Sequence, residues 1–143
     1  MEKPIIKELN AFLEGNFMAI QAYERYIQKI KEPHIKQIFQ KIQQDHKQHA
    51  TMIAERIQNL GGVPVDDAGL KGTISNMTQN LKRSTQGTAS ILKDALAGEY
   101  RGIEMSKELV KGDLDPESLE LVNDILTHDE KHVDLLDQLI HHE

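Results

Sequence analysis

Apolar residues recur along this chain at alternating three- and four-residue steps. Ile6, Leu9, Leu13, Asn16, Ile20, Tyr23, Ile27 and Ile30 form one such series, the spacing of a helix that lays one stripe against a bundle core. It predicts a first helix from about Pro4 or Ile5 to about Lys31. Pro4 suits a first helical turn, and Glu32-Pro33 breaks the helix. A second helix is expected from Pro33 or His34 to about Leu60, with the seam Ile35, Phe39, Ile42, His46, His49, Ile53 and Ile57, stopped by Gly61-Gly62. Residues 61–72 read as a loop, and the pattern resumes at Ile74, Met77 and Leu81 in a helical part of a crossover. Gly87 is placed to kink or separate that part from a third helix, about Thr88 to about Lys111, which presents Leu92, Leu96, Glu99, Ile103, Ser106 and Val110. After the turn at residues 112–115, Asp115 is the expected N-cap and Pro116 the first residue of a fourth helix carrying Val122, Ile125, Asp129, His132, Leu136 and Ile140.

Shifting the chain by 83 residues lays one half on the other: Leu9 falls on Leu92, Leu13 on Leu96, Gly15 on Gly98, Pro33 on Pro116, Ile42 on Ile125, His49 on His132 and Ile57 on Ile140. Short turns make each half an antiparallel helical hairpin. The expected fold is therefore all-α, an antiparallel four-helix bundle of two hairpins joined by a long crossover, forming one domain over residues 1–143.

Six polar residues interrupt these apolar seams: Asn16, His46, His49, Glu99, Asp129 and His132. Asp129 and His132 are three residues apart and share one helical face. The 83-residue shift pairs Asn16 with Glu99, His46 with Asp129, and His49 with His132. Counting outward from the two turns puts all six near mid-height of the bundle. Burying such groups without partners costs several kcal/mol, so something must compensate. A metal ion held between the helices does so. A hydrogen-bonded Asp–His pair with Glu99 beside it is the simpler alternative, and His46 and His49 satisfied by Asn16 and water is its counterpart.

Composition narrows the options. There is no cysteine, which removes disulfides, thiolate metal sites and cysteine nucleophiles. Aromatics are few, so aliphatic side chains must build the core. No apolar run is long enough to span a membrane, and the N-terminal residues form no signal-peptide segment, so a cytoplasmic location is expected. The net charge of −6 argues against nucleic-acid binding. That charge is uneven: residues 1–60 carry 9 Lys/Arg and 7 Asp/Glu, whereas residues 61–143 carry 8 and 16. A solvated acidic face accounts for this, and so would pairing between copies; together with apolar seam residues free to pack between chains, it makes a homodimer the expected assembly. No phosphate-binding glycine loop and no serine-nucleophile motif is present.

One polar residue from each of two helices, with an i, i+3 pair ending in His from each of the other two, is the ligand pattern of ferritin-like bundles. The chain resembles the ferritin-like superfamily over nearly its whole length, and is most similar to its small bacterial members, which share a segment like Leu96-x-Gly98-Glu99-x-x-x-Ile103 and a late acidic-x-x-His pair such as Asp129-x-x-His132. The resemblance implies metal ligation by Glu99, Asp129 and His132. The first half departs from it, with Asn16 at a carboxylate position and His46 in place of Glu, although His49 remains. The usual four carboxylates and two histidines become two carboxylates, three histidines and an amide. Two carboxylates neutralise one divalent ion, and a second would leave positive charge uncompensated in a low-dielectric core. One ion per chain is therefore expected, iron or alternatively zinc, with calcium and magnesium disfavoured by the imidazoles.

The expected function is thus a ferritin-like metal-binding protein with a carboxylate-poor site and residual iron or peroxide redox activity. The alternative is a non-catalytic helical assembly or partner-binding module whose degenerate site is metal-free. Among nearby residues, Glu24 stands two turns from Asn16, about 12 Å along the axis, too far to replace it. Asp45 and His128 flank the seam by one residue, where a modest rotation would bring either in. Tyr23 is expected to pack in the core.

Overall fold

The computed structural model describes residues 3–67 and 87–142. Its elements are α1 (Pro4–Lys29), α2 (Pro33–Asn59), α3 (Thr88–Lys111) and α4 (Pro116–His142), and no strand occurs among the described residues. The expected helical part of the crossover at Ile74, Met77 and Leu81 lies outside the described residues. Residues 61–67 are non-helical as expected.

Local chemistry sets the boundaries. Pro4 and Pro33 sit in the first turns of α1 and α2. The first helix ends at Lys29 rather than near Lys31 because Ile30 turns to extended backbone, its N–H still bonded to Tyr26 O, while its side chain stays buried. α2 stops in a Schellman motif: Gly62 N donates to Ile57 O, Gly61 N donates to Gln58 O, both at 2.9 Å, and Gly61 takes φ 87°. Gly87 is extended and stands at the N-cap of α3; the segment it is expected to kink or separate from that helix lies outside the described residues. Asp115 caps α4 as expected, accepting from Ser118 N at 3.3 Å and from Ser118 Oγ at 2.6 Å.

Each helix packs in one hairpin (α1 with α2, α3 with α4) and against a second neighbour (α1 with α3, α2 with α4). Side chains pin the ends of these pairs. Arg56, near the end of α2, donates to Asp115 Oδ2, Glu117 Oε2 and Ser118 Oγ at the start of α4. Thr88 at the start of α3 donates to Glu32 between α1 and α2. Asn10 holds the chain leaving α2, donating to Val63 O and accepting from Val65 N. These contacts make all four neighbouring pairs antiparallel.

Every seam position of α2 is buried, including both histidines. On the other helices the apolar stripe is wider than a single seam. Phe12, Tyr26, Ile91 and Ala95 are buried as well, whereas Ile20, Ile27, Leu96, Val110 and Ile140 are half-buried, because each helix faces two neighbours rather than one. The core divides in two. One apolar cluster gathers Ile30, Ile35, Phe39, Ile42, Leu92 and Leu136, and the other Leu9, Leu13, Ile53, Ile57, Val122 and Ile125. Between them lies the polar layer.

Candidate metal centre

All six polar seam residues are at most 9% exposed. Four of them, His46, Glu99, Asp129 and His132, each offer a ligand atom within 4.8 Å of the others. α2 supplies one, α3 one and α4 two, the last pair one turn apart on a single face.

Glu99 is the hub. His132 Nδ1 donates to Glu99 Oε1 at 2.6 Å, and His46 Nε2 lies 3.1 Å and 3.2 Å from the two carboxylate oxygens. The second nitrogen of His132 faces outward and donates to Asp45 Oδ2 at 2.9 Å. Asp45 also accepts from Lys41 Nζ at 2.9 Å. With carboxylates at both nitrogens, His132 is held as an imidazolium. Burial alone would disfavour that charge, but the adjacent carboxylates of Asp129, Glu99 and Asp45, the last two accepting its hydrogen bonds, outweigh it and lift its pKa to about 10. Burial likewise pushes Glu99 upward, and the bonds from His132 and His46 reverse this and bring it down to about 2. Burial dominates at Asp129 and raises its pKa.

This donor set fits a divalent cation. Asp129 Oδ1 is buried, stands 3.5 Å from His132 Nδ1 and makes no hydrogen bond, an orphaned acceptor at the centre of the group. Ligand atoms on a tetrahedral ion with bonds of about 2.1 Å lie about 3.4 Å apart, so the Glu99 contacts of 2.6 Å to His132 and 3.1 Å to His46 would open and the wider separations, at most 4.8 Å, would close. Two carboxylates and two imidazoles suit iron(II) or zinc over calcium or magnesium. The outward bond from His132 Nε2 to Asp45 is the support that a metal-binding imidazole needs to fix its orientation.

The remaining two candidates are placed differently. Asn16 lines a cavity of about 400 Å³ between α1 and α3, whose wall also includes His46, Glu99 and Asp129. His49 lies outside the four-residue group. Its Nδ1 is buried without a hydrogen-bond partner, and its ring sits 6.1 Å from His46 and 5.2 Å from His128. Burial, with His46 nearby, lowers its pKa to about 4. Tyr23 packs in the core, 5.5 Å from the His46 ring. Its hydroxyl is buried without a hydrogen bond, and burial followed by the Glu99 charge raises its pKa well above the usual value. Glu24 is engaged elsewhere, accepting from Gln43 and Gln28. Asp45 is the contributor that seam spacing alone did not select; its signal was its position one residue from His46.

A family profile matches residues 4–112. The chain belongs to the family described as a domain of unknown function (DUF2383). The match ends at the turn before α4, so this DUF2383 chain carries Asp129 and His132 beyond the matched residues. No curated protein matches it. Among solved structures it is similar to a two-domain protein from Anabaena variabilis with DJ-1/ThiJ/PfpI-like and ferritin-like domains (22% identity, TM-score 0.78), covering 96% of this chain but only 39% of that one. It is similar to a dodecameric thioferritin, a bacterioferritin-related protein from Bacteroides fragilis (23% identity, TM-score 0.76), with 93% and 82% of the two chains covered. A ferritin-like, diiron-carboxylate protein from Bacillus anthracis matches at 22% identity and TM-score 0.71 over 94% of each chain. The fold is therefore ferritin-like. No helix among the described residues is long and apolar enough to cross a membrane.

Proposed function

We propose that this DUF2383 protein binds one divalent ion per chain, iron(II) or alternatively zinc, in the middle of the bundle. The reading rests chiefly on the convergence of His46, Glu99, Asp129 and His132 within 4.8 Å, in a layer sealed above and below by apolar clusters. Glu99 and Asp129 would neutralise the ion, while His46 Nε2 and His132 Nδ1, the latter releasing its proton to solvent as the ion enters, would complete the donor set. Asn16 supplies a neutral polar wall. Bound iron would bring one-electron chemistry with oxygen or peroxide; the chain's own residues position the ligands, exclude bulk water and hold the His132 Nε2 proton on Asp45. A second ion is disfavoured because Asn16 and His46 stand where a di-metal site would offer carboxylates. The similar solved structures, described as ferritin-like, diiron-carboxylate and thioferritin proteins, support iron as the first metal to test.

Around the same site we place the internal pseudo-twofold repeat, a cytoplasmic setting consistent with the lack of cysteine, and pairing of two chains favoured by their uneven charge. One observation favours the metal-free alternative: without an ion, Glu99, His46, His132 and Asp45 already bond to each other. Metal analysis of untagged protein, beside a Glu99→Ala/His132→Ala variant, separates the two. One ion per chain in the parent and none in the variant is expected. No ion after anaerobic addition of iron(II) or zinc would overturn the reading.

A further inference from the structure

The two sides of the polar layer are chemically unlike. On the α1–α3 side, the cavity that reaches Asn16, His46, Glu99 and Asp129 is otherwise walled mainly by small and apolar residues, and Arg101 lines it with its guanidinium close over Gly98. A cation approaching there meets a positive charge. On the α2–α4 side stand imidazoles and a carboxylate. His128 is exposed on α4, its ring centroid 5.2 Å from that of His49. His49 is 4% exposed, with Nδ1 unpartnered, and its ring is 6.1 Å from His46. His46 in turn contacts Glu99. Three imidazoles thus step from solvent to the four-residue group, past Asp45 at its edge.

We infer that His49 and His128 form an outer, transient position for a divalent cation, through which the ion passes between solvent and the buried group. This rests on the metal-binding reading above. The ring spacing fits: two imidazoles on one tetrahedral ion, with bonds of about 2 Å, place their centroids about 5 Å apart. Two neutral ligands with no carboxylate hold an ion far more weakly than Glu99, Asp129, His46 and His132 together, as a transit position requires. Iron(II), zinc, cobalt, nickel and copper all accept imidazole. The offset within the chain is informative too. His128 stands 83 residues after Asp45, as His132 stands after His49. In one half this flanking position is a carboxylate that backs His132; in the other it is an imidazole that faces His49.

The test is cobalt(II) uptake by the metal-free full chain, followed by stopped-flow visible absorption, with the final ion content measured separately. His128→Ala changes an exposed side chain and leaves the four ligands intact. It is expected to reach the parent's final ion content severalfold more slowly, while Arg101→Ala and Ala19→Leu, on the α1–α3 side, load no more slowly than the parent. Loading of His128→Ala at the parental rate overturns the inference, as does slowing confined to Ala19→Leu, which would place the path in the α1–α3 cavity. A second tightly held ion lost in His128→Ala would overturn a transit role in favour of a storage position. If the parent takes up no cobalt at all, the metal-binding reading itself fails, an outcome distinct from a rate that ignores His128.

Discussion

Replacing Asn16 with Glu tests the charge reasoning at its weakest-looking position. Asn16 is 9% exposed and shares the roughly 400 Å³ cavity with Glu99 and Asp129, so an extra methylene has room. The difficulty is charge. Glu99 already engages both His46 and His132, and Asp129 Oδ1 is itself unsatisfied. In the metal-free protein a third carboxylate would cost about 3 kcal/mol at pH 7, allowing for relaxation and some water in the cavity. For a chain of this size that is a fall in Tm of roughly 10 °C. Asn16→Gln, which adds the methylene without the charge, should stay within about 1 kcal/mol of the parent. The pH dependence has a definite sign. The new carboxyl has a folded-state pKa raised above its unfolded value of about 4.3. Its penalty is complete above the raised pKa and shrinks as pH falls toward 4.3, so the gap between the Glu and Gln variants should close on acidification. Saturating iron(II) or zinc should stabilise the Glu variant more than the parent. Thermal unfolding of the three proteins at pH 7 and pH 5, with and without metal, reads all of this. A metal-free Glu variant as stable as the Gln variant at pH 7 would refute the reasoning, because the position would then be effectively solvated and two carboxylates would no longer limit the site to one ion.

Three further predictions concern the frame that holds the site. Arg56→Ala removes the bonds to Ser118, Asp115 and Glu117. Glu117 is 79% exposed and contributes little, so a loss of about 1–2 kcal/mol is expected in urea unfolding. That loss should shrink below pH 4: burial raises the Asp115 pKa, but bonds from Ser118 and Arg56 hold it below the usual carboxylate range, so its contribution is present above the unfolded value of about 3.9 and is lost as pH falls through the folded one. Gly62→Ala would place a Cβ 2.7 Å from Ile6 Cγ2 and 3.1 Å from Ile57 Cγ2, costing about 1–3 kcal/mol in the same assay. Ser106→Ala should be neutral or stabilising by up to about 1 kcal/mol, since its fully buried Oγ has no partner and Ala is the better helix former.

The polar layer was legible because a helix repeats its faces at fixed steps. Once Ile35, Phe39, Ile42, Ile53 and Ile57 define the inward face of α2, His46 and His49 are committed to it, and all seven are buried. The prolines at 33 and 116 and the Gly61-Gly62 pair marked the helix boundaries for local steric reasons, and these held to within a residue or two. What periodicity does not encode is rotation about the helix axis and the reach of each side chain. Those decide that Asp45, one residue off the seam, bonds His132, and that His49, squarely on it, faces His128 instead of joining the other four. Nor does a single-seam reading anticipate Tyr26 or Ile91, which are buried because every helix meets two neighbours.

Anomalous diffraction at the iron or zinc edge, from crystals of the metal-loaded protein, would locate the ion itself. One strong peak per chain, bounded by His46, Glu99, Asp129 and His132, is the predicted result. Two peaks within the polar layer, or none there at full metal loading, would contradict it.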